Sequence, residues 1–152
     1  MSIAITKDDI SQVIVIMNSR EDEGIYGCID RKTGEVLIGS QDYPLKVLPD
    51  EEDENFEEME AAFNLRYLWI PQEGSREAYQ DMVSFIETVE DGRLQDLLEV
   101  AIQGRGAFSR FKDILRRSEY ESELNRWQKF SDKCEYDRAI DWLTTQGFSI
   151  GI

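Results

Sequence analysis

The sequence predicts an α+β fold: a small antiparallel sheet of about three strands near the N-terminus, packed on a C-terminal group of four to five helices. Three observations carry that prediction. Two short apolar-rich runs, Ile25 to Asp30 and Glu35 to Gly39, flank a glycine-containing turn. From Ser75 onward, apolar residues recur every three or four positions, the spacing of one helix face. The 152 residues, 41% apolar and 32% charged, suit one globular domain that buries a core without metals or disulfides.

Each element has its own local signal. Thr6 with Asp9 makes a variant of the capping box, and Ile10, Val13, Ile14 and Met17 follow at helical spacing. A short first helix is expected, although the β-branched run Val13–Ile16 also suits a strand. Arg31-Lys32-Thr33-Gly34 reads as the hairpin turn, with Gly34 supplying a positive φ. Arg66 to Ile70 reads as a third strand stopped by Pro71, which cannot donate to a ladder. Its bulky residues alternate on both faces, so an uncovered face would serve as an interface. Between these strands, Asp50 to Glu54 with Glu57, Glu58 and Glu60 repel one another and stay solvated, ending in a short helix through Phe56, Met59 and Phe63.

Ser75 is the expected cap of the next helix, with Tyr79, Met82, Val83 and Ile86 on its apolar face. Asp91-Gly92 interrupts. Leu94, Leu97, Leu98 and Ala101 then define a helix closed by Gly104, and Phe108, Phe111 and Leu115 the inward face of another. Over residues 119–146 the apolar stripe shifts. Tyr120, Leu124, Trp127 and Cys134 share one face, whereas Tyr136, Ile140 and Leu143 lie roughly opposite. Two helices, a kink, or one helix buried on both sides would each produce that shift. Gly147-Phe148 suits a Schellman ending. With no repeat or linker, residues 1–152 read as a single domain, in which 1–70 and 75–152 share one interior containing Phe108 and Phe111.

Composition excludes several kinds of chemistry. The chain has no histidine, which removes the commonest metal ligand and general base and rules out Ser/His and Cys/His hydrolases. Cys28 and Cys134 stand far apart without a second ligand pair, so neither a disulfide framework nor a zinc ribbon is expected. The start lacks a signal-peptide pattern and no apolar run spans a bilayer; a cytoplasmic protein without membrane contact is expected. No cofactor fingerprint, metal-ligand set or catalytic residue stands out, and the acidic tract does not follow the EF-hand spacing. Trp69, Trp127 and Trp142 read as core residues.

The net charge of −15 opposes nonspecific nucleic-acid binding. It is unevenly placed: residues 1–104 hold 24 acidic and 8 basic side chains, residues 105–152 hold 8 and 9. The segment Gly104 to Lys112 combines glycines, a helix start and cations, the ingredients of an anion site. It is no P-loop, because the GxxxxGK[ST] spacing is missing. The candidate anion-binding residues are Arg76, Arg105, Arg110, Lys112 and Arg116. Against that stands the plainer reading of a helix–helix corner with core phenylalanines and solvated cations.

Taken together, the residues resemble a bacterial family, the uncharacterised protein family numbered 0158 in the UPF series. The likeness runs through Thr33-Gly34-Glu35-Val36, Arg66-Tyr67-Leu68 with Ile70-Pro71, Ser75-Arg76-Glu77-Ala78-Tyr79, and Arg126-Trp127 with Phe130. Gly104-Arg105-Gly106-Ala107-Phe108 with Phe111-Lys112-Asp113 is its most specific part. The resemblance implies a bacterial origin and a shared fold, and attaches no mechanism. The expected function is therefore a non-enzymatic interaction or regulatory module with a protein partner. The alternative is a phosphate-recognising module for a nucleotide or RNA. Oligomeric state is not legible in the sequence.

Overall fold

A computed structural model describes residues 2–19, 21–72 and 74–151, apart from the side chains of Glu21 and Ser75. A two-residue strand, β1 (Ala4–Ile5), leads into helix α1 (Lys7–Met17). The Asp9 N–H donates to Thr6 Oγ1 at 3.2 Å, so the cap forms as expected, and burial of Ile10, Val13, Ile16 and Met17 decides for helix over strand.

After a 3-10 turn at Glu21–Glu23, strands β2 (Ile25–Asp30) and β3 (Val36–Ser40) form the hairpin, with Gly34 at φ 80°. Helix α2 (Phe56–Arg66) runs directly into β4 (Tyr67–Trp69). Arg66 thus ends a helix instead of opening the expected strand. The sheet is antiparallel in the order β3-β2-β4, with Cys28 opposite both Leu37 and Trp69. Its α1 side allows close approach because residue 27 is glycine; a Cβ there would lie 2.2 Å from Ile16 Cδ1. On the other side the ring of Tyr26 lies 5.9 Å from that of Trp69, and Phe63 of α2 lies 5.4 Å from Trp69 and 4.8 Å from Tyr67.

Helices α3 (Gly74–Glu87), α4 (Gly92–Ala101), α5 (Ala107–Leu115) and α6 (Glu121–Thr145) follow, the last two joined through a 3-10 turn at Ser118–Tyr120. α3 already includes Ser75, whose expected capping side chain lies outside the described residues. Asp91 is the cap of α4, accepting from the N–H groups of Arg93 and Leu94. Residues 121–145 form one helix of 25 residues. It ends as expected: the Phe148 N–H donates to Leu143 O and the Gly147 N–H to Thr144 O, each at 3.0 Å. A final strand, β5 (Ser149–Ile150), then pairs in parallel with β1, placing Ile5 beside Ile150. This pairing has no counterpart in the sequence reading.

The chain divides into two compact units, residues 1–74 with 137–152 and residues 75–136. Buried apolar side chains likewise fall into two clusters, where one shared interior was expected. The first joins α1, the hairpin, β1, Phe148 and the end of α6. The second joins α3, α4, α5 and the start of α6, and centres on Phe85, Phe111 and Trp127 with edge-on rings. The shifting stripe of α6 has the same origin, because Trp127 belongs to the second cluster and Ala139 and Leu143 to the first.

Phe111 is fully buried, as expected, but Phe108 is not: it is 39% exposed. The buried face of α5 consists of Ala107, Phe111, Ile114 and Leu115, and at about 100° per residue Phe108 falls just outside that arc, in the first turn.

Candidate groove between helices α4 and α5

The segment Gly104 to Lys112 proves to be a corner closed by one side chain. Gly104 and Gly106 adopt φ of 70° and 79°, a left-handed backbone that other residues rarely take. Around that turn the carbonyls of Ala101, Gln103 and Arg105 converge on the guanidinium of Arg110. Its Nε donates to Ala101 O at 2.9 Å, Nη2 to Gln103 O and Nη1 to Arg105 O. The planar fork of arginine matches one carbonyl at the end of α4, that of Ala101, and two in the turn that follows. A Cβ on Gly106 would stand 2.8 Å from Nη1, so the glycine also makes room for the guanidinium.

The five cations singled out in the sequence therefore differ in state. Arg110 is engaged by the backbone. Arg116 makes an exposed ion pair with Asp113 at 3.7 Å, of a kind that contributes little. The side chains of Arg105 and Lys112 are exposed and make no hydrogen bond or ion pair among the described residues. Because α5 begins at Ala107, with Gly106 as its cap, Arg105 lies outside the helix and does not extend a stripe through Lys112 and Arg116. Arg76 is exposed near the start of α3.

Beside this corner, α4 and α5 enclose a groove of about 680 Å³. Leu97, Val100, Ala101 and Ile114 form its apolar wall, and Arg93, Asp96, Arg110, Asp113 and Arg117 its charged surround. Val100 is 73% exposed. Single exposed apolar residues are ordinary, but here Val100 continues a strip with three others. The second cluster explains why the strip stays open. Leu94, Leu98 and Ala101 are buried in it, which turns Arg93, Asp96 and Val100 to another side of α4 and leaves Leu97, half-buried against the cluster, at the edge.

The sequence reading missed this groove, although a signal was present. Arg93, Asp96, Leu97 and Val100 are spaced i, i+3, i+4, i+7, and Arg110, Asp113 and Ile114 of α5, with Arg117 just beyond its end, repeat that spacing. Both helices thus present Arg-x-x-Asp-apolar along the groove.

Two other features are structural. In unit 1, Asp30 is buried and accepts from Arg66 Nη2 at 2.9 Å, Arg66 Nε at 3.3 Å and the Lys32 N–H at 2.9 Å. Hydrogen bonding from Arg66 holds the Asp30 carboxyl below its ordinary range. Burial, aided by the Asp30 charge, pushes the neighbouring Cys28 thiol from 9.0 to about 11 and leaves it unreactive. In unit 2, Arg126 holds Glu123 at 2.7 Å and Thr88 Oγ1 at 2.6 Å while lying 4.3 Å over the ring of Phe85.

Among the described residues, no three His, Cys, Asp or Glu side chains gather as a metal site, and no helix is long and apolar enough to cross a membrane. No curated protein and no solved structure matches the chain. A family model does match it, over residues 9–152: the chain belongs to the uncharacterised protein family UPF0158.

Proposed function

We propose that the chain is a non-enzymatic interaction module that binds a partner protein through the α4–α5 groove. The observation that carries this reading is the apolar strip of exposed Val100, half-buried Leu97 and the edge of buried Ile114, flanked by both signs of charge. Its volume lies within the roughly 300–1,000 Å³ of ordinary ligand sites. A small molecule would also need polar groups pointing inward to fix its orientation. Here the polar groups stand around the strip, and three of the five N–H donors of Arg110 are already used by carbonyls. An amphipathic helix meets the same surface well, with apolar residues on one face and charges flanking them to pair with Arg93, Asp96 and Arg117.

The phosphate-recognising alternative draws less support. Of its five cations Arg110 is committed elsewhere, and a helix start alone is a general feature of proteins.

Native mass spectrometry of the protein isolated from its own host tests the reading. The wild-type chain should carry a protein partner that Val100→Asp loses. Because Val100 is exposed, that substitution should change stability by no more than about 0.5 kcal/mol. A partner retained by Val100→Asp, or a bound nucleotide instead of a protein, would refute it.

A further inference from the structure

Unit 1 holds a second groove of different chemistry, formed by the loop after β3, helix α2 and strand β4. It measures about 480 Å³ and is walled by Leu48, Pro49, Phe56, Phe63 and Trp69, with Glu51 and Glu60 at its rim. The rings are already ordered. Phe63 is buried and holds Trp69 at 5.4 Å, while Trp69 remains 44% exposed. An aromatic surface fixed on one side and wet on the other is the usual anchor point of a peptide interface.

The charge around it has one sign. Residues 50–60 carry eight carboxylates and no cation, all eight are exposed, and none forms an ion pair among the described residues. No cation among the described residues pairs with them, whereas the rim of the α4–α5 groove carries both signs.

From this juxtaposition of an aromatic groove and an unbalanced acidic rim, we infer that unit 1 binds a lysine- and arginine-rich amphipathic segment of a partner protein. One apolar side chain of that segment enters between Phe56 and Trp69, and flanking cations meet Glu51, Glu60 and the carboxylates between them. Complementary charge sets the encounter rate and the orientation, and the aromatic walls supply the anchor. The inference uses a different surface from the α4–α5 groove and stands apart from it.

The test is an NMR titration of the full chain with three synthetic peptides: leucine–lysine amphipathic, leucine–glutamate with the same spacing, and a lysine–serine peptide of the same positive charge. The leucine–lysine peptide should shift amides around Leu48, Phe56, Phe63 and Trp69, and its binding should weaken as salt rises. The exposed double variant E51K/E60K should bind it about tenfold or more weakly. Equal binding of the lysine–serine peptide would reduce the effect to bulk charge and overturn the proposal. Shifts centred elsewhere, undiminished binding by E51K/E60K, or equal binding of the glutamate peptide would also overturn it.

Discussion

The two units reach a buried interior by opposite routes. Residues 75–136 use helices that follow one another along the chain, joined around Phe85, Phe111 and Trp127. Residues 1–74 with 137–152 depend on pairings between distant positions: β1 with β5, and Asp30 with Arg66. Charge divides in the same way. The first unit carries 19 acidic and 7 basic side chains, the second 13 and 10. A unit held by ring packing should respond chiefly to lost volume. A unit closed by an ion pair and a strand pair should respond to pH and to loss of single partners. The same contrast extends to the surfaces, since one groove has a mixed rim and the other an acidic one.

The sharpest way to break that comparison is within α5. Phe111→Ala should cost about 3–5 kcal/mol in guanidinium unfolding, the cost of emptying a closed core. Phe108→Ala, three residues away but partly wet, should cost only about 1 kcal/mol. Equal losses would mean that the exposure of Phe108 has been misplaced.

Asp30 tests the other unit. Asp30→Asn should cost about 2 kcal/mol, because a buried hydrogen-bonding partner of Arg66 loses its charge. Its folded carboxyl titrates below the unfolded one, so the stabilisation is complete above the unfolded value near ~4 and disappears as pH falls through the folded value. Cys28 acts at the alkaline end. Its folded thiol stays protonated to about 11, so stability should fall as pH rises above 9.0, where the unfolded thiol ionises. Urea midpoints across pH should show the acid slope in the wild type and lose it in Asp30→Asn.

Arg110 gives a smaller effect that separates shape from charge. Arg110→Lys keeps the cation but offers a point charge where three carbonyls meet a fork, and should cost about 1 kcal/mol. Arg105→Ala, at an exposed side chain, should leave the melting temperature unchanged.

Local signals were legible. The Thr6 cap, the hairpin around Gly34 and the ending at Gly147-Phe148 each depend on a few neighbouring residues, and each was read from them. What escaped depends on distance or direction. β1 and β5 are two residues each and pair across nearly the whole chain, so neither has a period to detect. Arg110 counted as a free cation because composition cannot show a side chain turning back to the end of the preceding helix. Val100 escaped because apolar residues on α4 were assigned to the core by spacing, and Val100 lies off that stripe. An apolar residue on the wrong face of an amphipathic helix was the trace of the groove.

The α4–α5 groove is the central claim, and photo-crosslinking in the host cell tests it most directly. A photoreactive residue replaces either Val100 or Val15, which is 57% exposed on α1 and lines neither groove. Position 100 should yield one discrete cross-linked protein that position 15 does not. The same pattern from both positions, or no adduct from position 100, would contradict the account.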